Sequence, residues 1–339
     1  ASFRCCCNRW AAGCNSQKLI DTKQVEGPFG FVVIDKPAGI TSHACVSRMR
    51  HVFGLRRVGH GGTLDPAVTG VLPIALGSAT RLLPYLPGAK TYRGIIQLGL
   101  RTSTDDLDGE VIKRQAWPEL EQDCLDQCLD QFRGTIEQRP PQVSAVHVQG
   151  ERAHTRARRG EVMAMPLRTI SIHQLQLLSW NQNAGQLEII VHCSAGTYIR
   201  ALARDLGDAL GCSGCLAELR RTQALGFKEN LAVQLPDRNE DALTTPPALL
   251  PPLLALGHLP RLQLKEEEEE SWRCGRAIAA NQERYQAAPD PQPLDLQQAD
   301  QVNTEPMIVV LDSAGKVAGM AYWEEKATLK PKVVFDAQG

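Results

Sequence analysis

The chain has no run of 18 or more apolar residues, so it offers no candidate for a membrane-spanning helix and no membrane partner is expected. It also lacks a net charge of any size: the formal value is −1 over 339 residues, which alone points to no particular partner. No apolar secretory segment precedes its eleven cysteines, an odd and unevenly spread set. Cys5, Cys6, Cys7 and Cys14 crowd one short stretch, where neighbours make poor bridge partners. Free thiols in an intracellular protein are expected. Cys212 and Cys215 form a CxxC, but no second CxxC or His pair completes a zinc set, so no metal is expected. No internal repeat is found. An apolar content of 43% beside 22% charged residues is that of an ordinary globular chain, long enough for one large core or two domains.

What is present is unevenly distributed. From Lys36 to Glu229 there are 23 Lys and Arg against 18 Asp and Glu, leaving 14 basic and 20 acidic residues in the flanks. The mildly basic part makes nucleic acid a candidate partner. Residues 1–28 have no clear period and no starting Met, and the first twenty carry Arg4, Arg9 and Lys18 but no acid. A disordered leader is expected there, compatible with a processed targeting remnant.

Ordered patterning begins at Phe29. FGFVVID (29–35) reads as a strand and KPAG as the turn after it. TSHACVSRMRHVFG (41–54) reads as a helix capped by Thr41 or Ser42, with Val46, Met49, Val52 and Phe53 inward and Gly54 as its stop. Residues 70–77 and 92–99 read as buried strands, 118–132 as an acidic helix and 151–160 as a basic one. Strands follow at 168–178 and 186–193, then a helix at 197–211. Long antiparallel-looking strands with isolated helices predict an α+β fold rather than a βαβ array. The proline-rich stretch 236–257 reads as a linker. KEEEEE (265–270) reads as a solvated helix face or turn, and 287–306 as a flexible loop. MIVVLDSAGKVAGMAYW (307–323) reads as two strands in a small β-rich C-terminal domain.

Between Asp35 and Asp105 the only acidic residue is Asp65, within GHGGTLDPAVTG (59–70). The same window holds Lys36, Arg48, Arg50, Arg56, Arg57, Arg81, Lys90, Arg93 and Arg101. Nearby positive charge favours an ionised carboxylate, a weak proton acceptor but an available nucleophile or electrostatic stabiliser. Pro66 pushes Asp65 into an extended conformation, and Gly61 and Gly62 let a bulky ligand approach the main chain. His60 stands just before them, able to stack or donate. Asp-Pro is also a common turn former, and that reading stands beside the catalytic one. Tyr92 and Arg93 lie on a strand. Tyr198 and Arg200 fall in the first turn of a helix, where the dipole disfavours Arg, so Arg200 is expected to have a specific partner such as a carboxylate. Arg152, Arg156, Arg158 and Arg159 are candidate phosphate contacts or a solvated helix face.

DKPAGITS (35–42), RRVGHGGTLDPAVTGVLPIALGSATR (56–81), KTYRGIIQLG (90–99), RPPQVSAVHVQG (139–150), GTYIRALARDLG (196–207) and AELRRTQ (217–223) together resemble the bacterial tRNA pseudouridine-55 synthases, the TruB type, over roughly residues 29–230. The resemblance implies a pseudouridine synthase fold with a mixed, largely antiparallel sheet flanked by helices, in a catalytic domain at 29–235. A linker at 236–257 and a PUA-like domain at 258–339, with a flexible insert near 287–306, would follow. It implies isomerisation of uridine to pseudouridine in the T-loop of tRNA on a flipped-out base, with no metal or organic cofactor. By resemblance Asp65 is the catalytic aspartate, Tyr92 packs on the target base, and Arg200 pairs with the aspartate. His60, Tyr198 and Leu219 match positions that contact substrate, and Lys36 has a supporting role. Ala153-His154 stands where the family commonly has Leu-Tyr. A cytoplasmic monomer bound to the T-arm is expected, or an organellar one if residues 1–28 are a transit remnant. Two other readings stay open: an RNA-folding factor that does not need Asp65, and a synthase of this fold aimed at other RNA through a guide complex.

Overall fold

A computed structural model describes residues 27–237, 245–280, 282–289, 307–324 and 327–337. The expected leader, up to residue 26, and the expected insert, from residue 290 on, lie outside the described residues. The elements run β1 (Gly30–Lys36), α1 (Ser42–Phe53), β2 (Val58–His60), β3 (Thr69–Leu76), β4 (Lys90–Leu98), the β5–β6 arm (Leu100–Thr102 and Val111–Arg114), α2 (Gln122–Asp130) and β7 (Gly134–Gln138). Then come the β8–β9 hairpin (His147–Val148 and Glu151–Arg152), α3 (Ala153–Ala157), β10 (Arg168–Asn181), β11 (Gln186–Cys193), α4 (Ile199–Ala209), β12 (Gly214–Ala224), β13 (Phe227–Lys228) and β14 (Val233–Gln234). The C-terminal part holds α5 (Pro252–Ala255), β15 (Arg261–Gln263), α6 (Glu266–Arg273), β16 (Ile278–Ala279), β17 (Ile308–Leu311), β18 (Val317–Glu324) and β19 (Thr328–Val334).

Ten strands form one mixed sheet in the order β14-β1-β3-β12-β4-β11-β10-β7, with β13 on β12 and β2 on β3. Its pairs are antiparallel except β1–β14 and β3–β12. The α+β reading and the β-rich C-terminal part are both present: a second sheet runs β15-β17-β18-β19-β16. The run Phe31-Val32-Val33-Ile34 is apolar throughout because β1 is covered on both faces. Val32 and Ile34 enter a core with Val46, Met49, Leu202 and Leu206 of α1 and α4. Phe31 and Val33 enter a second core with Phe227, Leu256, Val309 and Met320, so the C-terminal sheet is packed on the back of the first. Leu250 exchanges two backbone hydrogen bonds with Phe31, at 2.9 and 2.8 Å, and Ala255 and Leu256 are buried in that second core. Trp272 anchors a third core inside the C-terminal sheet.

Helix α1 forms where its caps direct. Thr41 Oγ1 accepts from the Ala44 amide at 3.1 Å, and Gly54 ends the helix at φ 62°. Two expected helices are shorter. Residues 118–121 are held out of α2 by Gln182, whose Oε1 accepts from the Leu120 amide and whose Nε2 donates to the Pro118 carbonyl. The helix expected at 151–160 is reduced to the five residues of α3, because Gln149 and Gly150 turn at positive φ and fold Glu151–Arg152 back on His147–Val148.

Helix α4 lies close on β12 because two glycines meet. A Cβ on Gly207 would stand 2.1 Å from the Gly214 nitrogen and 2.2 Å from the Ser213 carbonyl carbon. Helix propensity alone makes Gly207→Ala stabilising by about 1 kcal/mol. The overlap with main chain outweighs it, and the variant is expected to lose roughly 2 kcal/mol or more, read as a lower urea midpoint.

Candidate active site

Asp65 lies in the loop between β2 and β3, and that loop is fixed from β1 and α1. Lys36, 0% exposed, donates from Nζ to the carbonyls of Pro37, Ile40 and Pro66 at 2.9, 2.8 and 3.0 Å. The Gly39 amide donates to the same Pro66 carbonyl at 2.9 Å. Ser42 Oγ donates to the Leu64 carbonyl and accepts from the Leu64 amide at 2.8 Å. The residues on both sides of Asp65 are therefore tied down while its own side chain, 48% exposed, faces outward.

Arg200 comes to it from the first turn of α4. An Nη2–Oδ2 ion pair of 2.9 Å joins the two, and the arginine side chain is only 9% exposed. The same guanidinium donates to the carbonyls of Thr104 and Val143, each at 3.0 Å, and lies 3.4 Å from Asp106 Oδ2. An arginine at the start of a helix is placed against the dipole, and these four acceptors are what hold it there. The helix start has no side-chain cap of its own. Buried Gln138 instead fixes the residue before the helix: its Oε1 accepts from the Tyr198 amide at 2.9 Å and its Nε2 donates to the Tyr198 carbonyl at 3.1 Å.

The wall of the site is built by β4 and β12. Tyr92 is buried, and burial pushes its phenol up to about 12, against the pull of the neighbouring Arg221 charge. Leu219 of β12 lies opposite Gly94, whose missing side chain leaves it room: a Cβ there would be 3.1 Å from Leu219 Cδ1. His60, half-buried at the end of β2, is held below its ordinary value first by burial and then by Arg221. Tyr198 packs with Val146, Ala153, Met163 and Met165. The structure thus brings Arg200, Lys36 and Tyr92 each within electrostatic reach of Asp65.

Two sequence expectations change. Most of the cations near Asp65 in sequence take other partners. Arg48, Arg50 and Arg81 donate to the carbonyls of Pro236, Val58 and Val334, while Arg93 and Arg101 pair with Glu188 and Asp208. The positive charge at Asp65 is supplied by Lys36 and, from far along the chain, Arg200. Nor is Asp65 the sole acid there, since Asp106 shares Arg200; burial pushes the Asp106 carboxyl up, with Arg200 opposing. Among the four candidate phosphate contacts, Arg156 pairs with Glu161, and Arg159 bridges Glu151 and Glu161. Arg152 and Arg158 are exposed and make no ion pair among the described residues. Ser42, Asp106 and Gln138 had no assigned part in the site. Their contacts join segments distant in sequence, which spacing does not disclose. Cys212 and Cys215 are buried free thiols, and burial pushes Cys215 up to about 11.

Residues 50–199 match the model of the TruB family pseudouridylate synthase N-terminal domain, and residues 200–244 that of the tRNA pseudouridylate synthase B C-terminal domain. The chain is 69% identical over 317 residues to tRNA pseudouridine synthase B of Prochlorococcus marinus (strain MIT 9313), covering 92% of this chain and 99% of that one. It is 61% identical over 315 residues to the protein of that name from Parasynechococcus marenigrum (strain WH8102), covering 93% and 100%. Among solved structures, that of a Cbf5-Nop10-Gar1 complex superposes with a TM-score of 0.66 at 26% identity, over 90% of this chain and 84% of that one. An H/ACA RNP bound to a substrate RNA containing 2'-deoxyuridine shares the fold, with a TM-score of 0.65 at 24% identity over 91% and 85%.

The environment of His60 makes a pH prediction. Its folded value lies below the ordinary 6.5, so below that pH the unfolded chain binds a proton that the folded chain refuses. Its contribution is complete above pH 6.5 and is lost as pH falls. Urea unfolding at pH 7 and pH 5 is expected to show wild type losing more stability than His60→Gln, the difference isolating this group from the carboxylates.

Proposed function

The chain belongs to the TruB family and is an enzyme, a tRNA pseudouridine synthase, and from that premise we propose that it isomerises uridine 55 in the T-loop of tRNA with Asp65 as the reacting carboxylate. The reaction breaks the bond from N1 of uracil to C1′ of the ribose and joins C5 to C1′. C5 loses a proton and N1 gains one, so composition is unchanged. A carboxylate serves it by adding covalently or by stabilising the transient species, and either role needs an anion that is aimed and open. A base stacked inside a folded loop cannot reach such a group, so the nucleotide turns out of its stack and seats against Tyr92 and Leu219.

The observation that carries this reading is the 2.9 Å pair of a buried Arg200 with a half-exposed Asp65. The arginine orients the carboxylate, while its open side is left for substrate. Lys36 positions the loop, and His60 and Tyr198 border the nucleotide. The enzyme is read as a monomer that grips the T-arm and needs no metal or organic cofactor. A cytoplasmic location is part of this proposal.

Asp65→Asn tests the assignment. Arg200 keeps its carbonyl acceptors and Asp106, so no buried charge is orphaned and the variant should fold. Expected are tRNA binding within about threefold of wild type and no pseudouridine at position 55 when modified transcript is mapped. Retained turnover would contradict the role. Full biological effect without product would favour an RNA-folding factor instead.

The candidate RNA grip separates into two kinds of arginine. Arg152→Ala and Arg158→Ala should each lower the slope of log Kd against log salt by up to about one, through one lost phosphate contact. Arg159→Ala should leave the slope nearly unchanged, because its charge is already matched by Glu151 and Glu161.

A further inference from the structure

Arg221, the second arginine of LRRTQ in β12, is 0% exposed. In the sheet it is paired with Tyr92 of β4 on one side and Gly70 of β3 on the other. Its Nε donates to the Val71 carbonyl at 2.8 Å, and its Nη2 to the Gly62 carbonyl at 3.1 Å. Burial pulls its basicity down, and the group that offsets this is the Tyr92 hydroxyl rather than a carboxylate. Its charge also reaches His60 and Lys36.

This is a costly way to fill a sheet. A cation taken out of water without a counter-charge is expensive, and hydrocarbon of similar volume commonly packs as well or better. Two glycines of the neighbouring backbone lie against it, one at its main chain and one at its guanidinium. Gly70 has φ 102°, and a Cβ there would stand 2.2 Å from the Arg221 carbonyl oxygen. Gly62 has φ 95°, and a Cβ there would stand 3.4 Å from Arg221 Nη1. The two carbonyls it holds flank the Asp65 loop, one before it and one after.

We propose that Arg221 is a positioning residue for the isomerisation. By holding the Gly62 carbonyl at 3.1 Å from its place beside Tyr92 in the sheet, it sets the distance between the Asp65 loop and the ring on which the base is seated. This rests on the roles of Asp65 and Tyr92 given above. Lysine at 221 would keep the charge but has a single point-like head, which does not reproduce the planar fork. Methionine would keep the length without donors.

The test is single-turnover kinetics on unmodified tRNA transcript, with filter-binding Kd and thermal melting measured on the same preparations. Arg221→Lys is expected to slow the reaction about tenfold and Arg221→Met about a hundredfold, both with Kd within about threefold of wild type. Lysine should thus rescue part of what methionine loses. Tyr92→Phe removes only the hydroxyl. In the Arg221→Lys/Tyr92→Phe double variant the two rate effects should fall short of multiplying, as they do when one residue acts through the other. A folded methionine variant with wild-type rate, or a loss confined to Kd, would overturn the proposal. Should the methionine variant not fold, full multiplication in the lysine double variant overturns it. Asp65→Asn in the same assay separates the two layers: activity there sinks the site reading, whereas an inactive Asp65→Asn beside a wild-type Arg221→Lys sinks this proposal alone.

Discussion

Arg200 meets Asp65 across a gap that neither residue's own segment could close, and much of the surrounding architecture serves that meeting. Helix α4 must lie close to β12, which the Gly207–Gly214 contact permits. Its first turn must tolerate a cation, which the carbonyls of Thr104 and Val143 and the carboxylate of Asp106 provide. Only then does a buried guanidinium face an open carboxylate at 2.9 Å. Because Arg200 is satisfied from several sides, Asp65 can take part in chemistry without leaving an unpaired charge behind.

The loop carrying Asp65 is held in a different way. Lys36 spends its ammonium on three main-chain carbonyls, and Ser42 uses its hydroxyl in both directions on Leu64. These contacts act on backbone and leave the acid's side chain untouched. The carboxylate proposed to react gains from this arrangement, since its position is then fixed by the β1–α1 connection rather than by its own short turn.

Much of the fold was legible in the sequence. The FVVI run, the Thr41 and Gly54 caps and the alternating strands at 168–178 and 186–193 carry their periodicity in the chain, and each formed where it was read. The helix expected at 151–160 was misread because Gln149 and Gly150 turn the chain into a hairpin first. At the site, spacing alone identified the lone acid and an arginine in search of a carboxylate. Linking them drew on the family resemblance. The charge around Asp65 was misjudged for a physical reason: neighbours in sequence, such as Arg48, Arg81 and Arg93, turn to partners elsewhere in the fold. Asp106 and Gln138 had no local signal at all, because their importance lies in contacts that only the folded chain makes.

Phe31 and Val33 share their core with Val309 and Met320. The C-terminal sheet is therefore not an accessory clipped on by a tether. A ribosome that stopped before Ile308 would release a chain whose first sheet shows bare aliphatic and aromatic side chains to water. Such a fragment would trade part of a shared core for an apolar face open to water, so the two sheets stand or fall as one body.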